Sequence, residues 1–288
     1  MDLNGIRVKN PFFIGSGPVK YGLGYNFWEN PISFFVCQSG LLKLEEFGGV
    51  VTKTLTLEPR KGNYRWWKPW KVLRPVQGGW LNRFGWNNCG IDEFASIYPE
   101  IKLNNLIPSI GIFDLEDIDG LLLMLDILNG LGVLAVEINA SCPNVTIVSK
   151  NDLKIFRNFL KQAVVFSDHH LIVKLGAENA VAKARIAEDS GINALALINT
   201  IPSFVQGFGD CGLSGQKIKP TALQIIKDVE RAVSIPIIGG GGIYTADDCR
   251  EFFKAGASAV SFASVFLLHP LRPQNIVKSF SETQSPAS

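Results

Sequence analysis

Short apolar runs alternate with helical stretches along most of the chain, and this alternation restricts the possible folds more than any other feature. Runs rich in aliphatic or β-branched residues predict eight buried strands, at residues 12–15, 49–53, 106–112, 133–139, 170–175, 194–199, 236–239 and 259–263. Apolar residues recur at helical spacing at residues 153–166, 177–189, 221–233 and 246–255. Strands that alternate with helices predict a parallel sheet with helical crossovers. Eight such units in 288 residues predict a closed (β/α)8 barrel, with an open doubly wound sheet as the alternative.

The composition fits a single globular domain that spans residues 1–288. Apolar residues make up 47% of the chain and charged residues 19%, which is the opposite of the balance found in disordered chains. No linker rich in Pro or Gly divides the sequence. A Trp-rich insertion at about 58–93 interrupts the alternation, and it is predicted either to cover the barrel mouth or to pack as an aromatic plug on the core. The tail at about 279–288 is rich in Ser, Gln and Pro and is expected to fray.

Charge, cysteine content and hydropathy argue against several classes of protein. The 28 basic and 26 acidic residues give a net charge of +2 without a basic tract, so nucleic-acid binding is not expected. The five cysteines are irregularly spaced without a metal-ligand pattern, which favours reduced thiols and no bound metal. No secretory signal is apparent, and no apolar stretch reaches the length of a membrane span. We therefore expect a cytoplasmic protein that does not enter a membrane.

The segment at residues 136–145 places polar chemistry at the end of a predicted strand. The apolar run stops abruptly in Asn139, Ser141, Cys142, Pro143 and Asn144. Two side-chain amides can orient a planar polar substrate, and a neighbouring thiol can accept or donate a proton. A strand that simply ends in a Cys-Pro turn explains the same residues, so this segment alone leaves both interpretations open.

Two successive strands near the end of the chain lead into small residues. An apolar run at 235–238 continues into four glycines, and Thr245 is placed as the N-cap of the next helix. The strand after that helix ends at Ala263 and Ser264. Glycines let a phosphate approach backbone N–H groups, although they also make tight turns. Because the loops after the last two strands of such barrels are the usual phosphate site, we predict a phosphate here. The spacing does not match the GxGxxG pattern of a Rossmann site.

Lysines and asparagines end several other predicted strands. They are Lys53, Asn139, Lys174 and Asn199. A lysine within a barrel strand must reach the mouth of the lumen or lose its hydration, although a single lysine of this kind is commonly a surface residue. Four polar side chains at the carboxyl ends of strands predict a site at that face. The lysines could neutralise negative charge on a flavin or bind a carboxylate, and the histidines are assigned structural roles.

In their order and joint occurrence, these segments resemble the class 1 dihydroorotate dehydrogenases, which are FMN-dependent (β/α)8 barrels. The resemblance covers about residues 10–266. It rests on Asn10-Pro-Phe with Gly15-Ser16-Gly17, Thr52-Lys-Thr-Leu-Thr-Leu-Glu-Pro-Arg60, Asn82-Arg-Phe-Gly85, Glu137-Ile-Asn-Ala-Ser-Cys-Pro-Asn144, Val173-Lys174, Ile198-Asn-Thr200, Gly212-Leu-Ser-Gly-Gln-Lys-Ile-Lys-Pro220 and the final glycine run. The segment at 212–220 looks most like the subgroup that pairs with an electron-transfer subunit.

The resemblance implies a role for individual residues. Cys142 matches the catalytic base, a position where the membrane-bound class 2 enzymes carry serine. Contacts with orotate are implied for Lys53, Asn82, Phe84, Gly85, Trp86, Asn139, Asn144, Asn199 and Thr200. Contacts with FMN are implied for Ser16, Lys53, Thr54, Asn139, Lys174, Ile198, Gly215, Gly241, Gly242, Ala263 and Ser264. The chain departs from the family pattern in the Trp-rich residues 64–86, which include Arg83 and Trp86, and at Ala263-Ser264.

The activity implied by the resemblance is oxidation of (S)-dihydroorotate to orotate in pyrimidine biosynthesis. Cys142 would remove the C5 proton while hydride leaves C6 for flavin N5. The alternatives are a related FMN barrel acting on another cyclic amide, as in dihydropyrimidine dehydrogenases, a flavin-free phosphate-binding aldolase or isomerase using Lys174, and a non-enzymatic flavin-binding module.

The resemblance fits two kinds of assembly. One is a homodimer that uses fumarate, and the other is a heterotetramer that uses NAD through a partner subunit carrying FAD and an iron–sulfur cluster. This chain lacks a cluster-binding cysteine pattern, so a cluster would belong to the partner.

Overall fold

The computed structural model describes residues 1–22, 24, 31–63, 68–141 and 151–284. Within these residues the β-strands, in chain order, are β1 (Asp2–Leu3), β2 (Ile6–Arg7), β3 (Phe12–Ile14), β4 (Gly49–Val51), β5 (Leu73–Val76), β6 (Gly79–Asn82), β7 (Leu106–Ile107), β8 (Ser109–Ile110), β9 (Val136–Asn139), β10 (Leu171–Leu175), β11 (Ala194–Leu197), β12 (Ile201–Val205), β13 (Gly209–Ser214), β14 (Ile237–Gly240) and β15 (Ala259–Phe262).

The α-helices of the same residues, in chain order, are α1 (Pro31–Gln38), α2 (Ile91–Ile97), α3 (Ile118–Asn129), α4 (Leu153–Phe166), α5 (Ala180–Asp189), α6 (Lys219–Glu230), α7 (Ala246–Lys254) and α8 (Arg272–Gln284). Short 3-10 helices lie at Leu44–Glu46, Pro69–Lys71, Tyr98–Glu100, Gln216–Ile218 and Ser264–Leu267. None of the described helices combines the length and the apolar character needed to cross a membrane.

The central feature is a parallel sheet that curls into a barrel. Its strands are hydrogen-bonded in the order β7-β4-β3-β15-β14-β11-β10-β9-β8. The two outermost strands, β7 and β8, are consecutive in the chain and are separated only by Pro108. The sheet therefore returns to its starting point, which confirms the predicted (β/α)8 barrel and shows that the doubly wound alternative is wrong.

The predicted strand at 106–112 is interrupted where it changes partners. Its first part, β7, pairs with β4, and its second part, β8, pairs with β9. Pro108 between them has no N–H to donate, but its carbonyl accepts a hydrogen bond from the backbone N–H of Glu137 at 2.8 Å. The single apolar run thus forms two short strands, which connect the two edges of the sheet and close the barrel.

A smaller antiparallel sheet follows the carboxyl ends of the barrel strands. Its order is β12-β13-β6-β5, and it combines two strands of the Trp-rich insertion with the hairpin that follows β11. Strand β12 begins directly after Thr200, and β6 ends at Asn82. This sheet therefore places Asn82 beside the barrel strands that carry the other predicted site residues.

Two of the predicted helices show why the sequence folds locally as it does. Helix α4 has the predicted bounds, because Phe156, Phe159 and Leu160 form one buried stripe at helical spacing. Helix α7 begins after Thr245, whose hydroxyl accepts a hydrogen bond from the backbone N–H of Asp248 at 3.1 Å. Thr245 and Asp248 form a capping box, so the predicted N-cap is confirmed.

The hydrophobic core has two main parts. The larger lies between the barrel and its helices, and the smaller fills the amino-terminal end of the lumen. The hairpin of β1 and β2 contributes Leu3 and Ile6 to the smaller cluster, where they meet Phe13 and small lumen residues such as Ala194 and Ala259. Because this end is closed by apolar side chains, the polar side chains collect at the opposite face.

Candidate active site

The described residues of the predicted site lie at or near the carboxyl ends of barrel strands, on their connections, or on the small sheet. Since the carboxyl ends of parallel strands open on the same face, these segments share one face of the barrel. The barrel strands carry or precede Ser16, Lys53, Thr54, Asn139, Lys174, Ile198, Asn199, Thr200, Gly241, Gly242, Ala263 and Ser264. The small sheet carries or flanks Asn82, Phe84, Gly85, Trp86 and Gly215. Cys142 and Asn144 lie outside the described residues.

A series of side-chain hydrogen bonds joins the ends of four barrel strands. The amide Nδ2 of Asn139 donates to Thr54 Oγ1 at 2.9 Å, and Nδ2 of Asn199 donates to Asn139 Oδ1 at 3.1 Å. Asn199 Nδ2 also donates to Ser141 Oγ at 3.2 Å, and Ser141 donates to the carbonyl of Lys174 at 2.9 Å. The predicted residues Thr54, Asn139 and Asn199 are all buried. These hydrogen bonds therefore form a rigid polar surface at the carboxyl ends of the strands.

The polar chain continues inside the barrel through two residues that the sequence analysis did not select. Thr54 Oγ1 lies 3.2 Å from Ser109 Oγ, and Ser109 Oγ donates to Glu137 Oε1 at 2.8 Å. Ser109 and Glu137 are 0% and 2% exposed. The signal that could have identified Glu137 is an acidic residue within an otherwise apolar strand, since buried charges require partners.

The two predicted lysines differ in their surroundings. Lys53 follows β4, is 9% exposed, and holds its ammonium 5.2 Å from the ring centre of Phe84. This cation–π contact joins a barrel strand to the segment after β6. Lys174 lies within β10 and is partly buried, with its carbonyl held by Ser141. Both are therefore placed at the polar face, and Lys53 is the more enclosed charge.

The segment after β6 is held by the small sheet and by backbone shape. Asn82 Nδ2 donates to the carbonyl of Gly212 at 3.1 Å. Gly85 has φ +69° and Trp86 has φ +52°, so the chain turns through the left-handed region at both residues. The Trp86 ring is 5% exposed, contacts Phe113 edge-on at 5.2 Å, and has no hydrogen-bond partner for its indole N–H among the described residues.

The backbone of the glycine-rich end turns and packs in a way that requires glycine. Gly215, Gly241 and Gly242 have φ values of +100°, +116° and +97°. A Cβ atom on Gly242 would lie 2.8 Å from the carbonyl oxygen of Gly215, which is closer than real Cβ atoms come. Ser264 lies beside this end, where its Oγ accepts a hydrogen bond from Tyr244 Oη at 3.2 Å. These glycines keep the backbone open to a close-approaching anion.

An ion pair stabilises the loop after β14. Asp248 Oδ2 accepts hydrogen bonds from the backbone N–H groups of Tyr244 and Thr245 at 2.8 and 2.9 Å. Asp248 Oδ1 accepts from Lys219 Nζ at 2.6 Å, and Lys219 also donates to Glu251 at 3.1 Å. Burial by itself raises the pKa of Asp248, but the hydrogen bonds from Lys219, Tyr244 and Thr245 outweigh it and hold the pKa below its ordinary value. The residues that follow the glycines are therefore tied to α6 and α7.

The fold and this polar face together define a (β/α)8-barrel enzyme. The family model described as dihydroorotate dehydrogenase matches residues 1–282. Three relatives are similar over nearly the whole chain. The dihydroorotate dehydrogenase B (NAD(+)) catalytic subunit of Thermodesulfovibrio yellowstonii is 31% identical over 97% of this chain and 91% of its own. The protein of the same name from Geobacter sulfurreducens is 34% identical over 94% and 88%. A protein of Solibacter usitatus, provisionally named dihydroorotate dehydrogenase A (fumarate), is 32% identical over 96% and 90%.

The chain belongs to the dihydroorotate dehydrogenase family. It is an oxidoreductase that oxidises dihydroorotate in pyrimidine biosynthesis, and the family as a whole depends on flavin. The resemblance inferred from the sequence is therefore confirmed. The flavin-free aldolase or isomerase and the non-enzymatic module are set aside.

Proposed function

We propose that this chain converts (S)-dihydroorotate to orotate with FMN as its flavin, and that residues 1–288 act as one FMN-binding domain. The observation that carries the proposal is that two features lie on the same face of the barrel. One is the buried chain of amides and hydroxyls through Thr54, Asn139 and Asn199, which suits a planar ring with several polar atoms. The other is the glycine-rich end, which suits a phosphate.

In this proposal FMN occupies the space between the glycine-rich end and the amide chain. The residues that would hold it are Ser16, Lys53, Thr54, Asn139, Lys174, Ile198, Gly215, Gly241, Gly242, Ala263 and Ser264. The open backbone of Gly241 and Gly242 supports a phosphate at that end, and the lysines would oppose negative charge on the ring. When bound, FMN supplies the hydride acceptor at N5.

The substrate would lie against the amide chain under the segment after β6. Its proposed contacts are Lys53, Asn82, Phe84, Gly85, Trp86, Asn139, Asn144, Asn199 and Thr200. Lys53 would face the carboxylate, since it is a buried cation at a strand end. The unpartnered indole N–H of Trp86 supports a further polar contact, because a buried donor needs an acceptor.

Cys142 is the proposed general base, and it removes the C5 proton of the substrate. A free thiol titrates near ~8.5, so the thiolate fraction and the rate should rise with pH. We expect Cys142→Ser to slow flavin bleaching by dihydroorotate about 100-fold or more at neutral pH, with FMN still bound and a smaller defect at higher pH.

Stopped-flow absorbance of the flavin is the direct test of this base. The matched control is Cys89→Ser, because Cys89 is half-buried and its thiol donates to the carbonyl of Gly90, a bond that serine can keep. Wild-type bleaching rates in the Cys142→Ser variant would show that Cys142 is not the base. A chromophore released by heating that is not FMN would overturn the cofactor assignment.

Besides dihydroorotate, a neutral cyclic amide is a candidate for an additional substrate, as in the dihydropyrimidine dehydrogenases. The observation that favours it is the large buried ring of Trp86, which departs from the family pattern inside the proposed pocket. Titration of the flavin spectrum with orotate, uracil and thymine distinguishes the two. Tighter binding of uracil than of orotate would favour the neutral ring.

The assembly is also part of the proposal. We infer a cytoplasmic homodimer that uses fumarate, or a complex with a subunit carrying FAD and an iron–sulfur cluster. The name "catalytic subunit" of the NAD-type relatives supports the second. Purification from the source cells, followed by size-exclusion chromatography with iron and FAD analysis, separates these two assemblies. A protein that runs as a single chain without associated iron would contradict both.

A further inference from the structure

Glu137 is a buried carboxyl group to which the proposed function gives no role. It lies in β9 two residues before Asn139, so both side chains point to the same side of the strand. Its Oε1 accepts a hydrogen bond from the fully buried Ser109 at 2.8 Å. In this contact Ser109 is the donor and Glu137 the acceptor, so the contact has one direction.

That direction determines how the next two hydroxyl groups are arranged. A serine hydroxyl carries one proton, and Ser109 gives its proton to Glu137. In the 3.2 Å contact between Ser109 and Thr54, Thr54 must therefore be the donor. The only hydroxyl proton of Thr54 is then used, so Thr54 Oγ1 can only accept from its other two neighbours, Ser16 at 3.4 Å and Asn139. This is the arrangement found, with Asn139 Nδ2 donating at 2.9 Å.

The same direction continues through the two amides. Because Asn139 turns its NH2 group toward Thr54, its Oδ1 faces Asn199, which donates at 3.1 Å. Asn199 gives its second N–H to Ser141, and its Oδ1 accepts from the backbone N–H of Thr200 at 2.8 Å. Both N–H groups of Asn199 are thus used, and its Oδ1 keeps one lone pair for the ligand. One N–H of Asn139 makes no hydrogen bond to a described residue, so Asn139 can offer the ligand a donor.

We propose that Glu137 is a positioning residue that fixes the orientation of the Asn139 amide through Ser109 and Thr54. The site then presents an N–H donor, which selects an oxygen acceptor such as a ring carbonyl of orotate. This inference rests on the proposed function, in which Asn139 contacts the ligand. Without the acceptor at Glu137, the proton of Ser109 is free to turn toward Thr54, and the direction of the Ser109–Thr54 hydrogen bond reverses. Thr54 can then turn its own proton toward Asn139, so the Asn139 amide is held only by Asn199 and its free N–H is no longer kept aimed at the ligand.

The test compares two substitutions that differ in the acceptor at position 137. Glu137→Met removes it, and Glu137→Gln keeps an oxygen that can accept from Ser109. We expect Glu137→Met to weaken orotate binding about tenfold or more, and Glu137→Gln to restore most of the affinity. The dissociation constant is measured from the orotate-induced change in the flavin spectrum of each holoprotein.

The matched control is Gln274→Met, which removes another buried acceptor far along the chain. Gln274 is 5% exposed and accepts from the backbone N–H of Lys43 at 2.7 Å. It should lower thermal stability without changing orotate binding. If Glu137→Met does not fold, Ser109→Ala interrupts the same chain and should weaken orotate binding to a similar extent. Wild-type orotate affinity in these interrupted variants would overturn the inference.

A double-mutant cycle separates positioning from general damage. If Glu137 acts through Asn139, then Glu137→Met should have no further effect on orotate binding in an Asn139→Ala protein. Independent, additive losses would overturn the inference. The proposed function fails separately, because in that case Asn139→Ala itself would bind orotate like the wild type. A large loss in Asn139→Ala with none in Glu137→Met rejects only the role of Glu137.

Discussion

Replacing Asp248 with asparagine tests how the loop after β14 is held. The Asp248 carboxylate accepts three hydrogen bonds, from Lys219 Nζ at 2.6 Å and from the backbone N–H groups of Tyr244 and Thr245 at 2.8 and 2.9 Å. An asparagine has one oxygen and one NH2 group. Whichever way the amide turns, it places donors against donors on one side. We therefore expect Asp248→Asn to destabilise the folded protein.

The size of the loss follows from these contacts. If the asparagine oxygen faces the two backbone groups, the bond to Lys219 is lost, and hydrogen bonds to charged groups contribute roughly 1.5–3 kcal/mol. Lys219 keeps its 3.1 Å hydrogen bond to Glu251, so the charge of Lys219 is not left without a partner. The two remaining bonds also become weaker because the acceptor is neutral. We expect the free energy of unfolding to fall by about 2–4 kcal/mol, which corresponds to a Tm lower by roughly 3–7 °C.

The neighbouring residue provides a matched control. Asp247 lies in the same first turn of α7, and Asp247→Asn removes the same charge at the same helix end. Its side chain is 85% exposed and pairs with Arg250 at 2.5 Å, and exposed pairs contribute about 0–1 kcal/mol. The unfolding free energies of the two variants in urea denaturation should therefore differ by about 1–4 kcal/mol. Equal unfolding free energies for Asp247→Asn and Asp248→Asn would refute the reasoning.

The pH dependence of this difference has a definite sign. The pKa of Asp248 is held below its ordinary value, so its contribution is complete above about 3.9 and is lost as the pH falls through the lower folded-state pKa. Burial lowers the pKa of Lys219, but its bonds to Asp248 and Glu251 raise the pKa overall. The contribution of Lys219 is therefore complete below about 10.4 and is lost as the pH rises through the folded-state pKa. The difference between wild type and Asp248→Asn should be flat near neutrality and shrink at both extremes.

Other residues give further predictions. Gly242→Ala should weaken FMN binding by the apoprotein about tenfold or more, since its Cβ would meet the Gly215 carbonyl. The control is Gly207→Ala, because Gly207 also has a positive φ of +75° but has open space around it, and this variant should not weaken FMN binding. Equal losses of FMN affinity in the Gly242→Ala and Gly207→Ala proteins would contradict this prediction. Lys53→Met should reduce orotate affinity by more than tenfold in a spectral titration, because a buried cation is removed, and unchanged affinity would exclude a carboxylate contact. Burial raises the pKa of Cys249 to about 12, so mass spectrometry should find it unalkylated by iodoacetamide at mildly alkaline pH until the protein is unfolded, and labelling of the folded protein would contradict this.

The sequence predicted the barrel because its signals are local. The buried stripe of α4 and the capping residue Thr245 are both visible within a few residues of sequence. Helix α3 was not predicted, since its leucines and Met124 make it apolar over much of its circumference. The small sheet was also missed. Its strands β6 and β13 pair across 130 residues of sequence at Asn82 and Gly212, and no local pattern specifies such a partner.

For the site, the sequence predicted positions but not contacts. Asn139 and Asn199 were expected at strand ends, yet their direct hydrogen bond depends on how neighbouring strands are staggered. The ion pair between Lys219 and Asp248 joins residues on two helices, which sequence spacing cannot reveal. Glu137 was visible as an acid in an apolar strand, but its partner Ser109 comes from another strand.

The two ends of the proposed site are held by different kinds of interaction, and this has a consequence for its variants. The glycine-rich end depends on backbone shape at Gly241 and Gly242 and on the ion pair of Asp248. The amide end depends on the direction of hydrogen bonds that begins at Glu137. Damage to backbone shape should act on FMN retention first, because a misplaced loop closes the phosphate space. Reversal of the hydrogen-bond chain leaves that space intact, so it should act on substrate affinity while FMN remains bound.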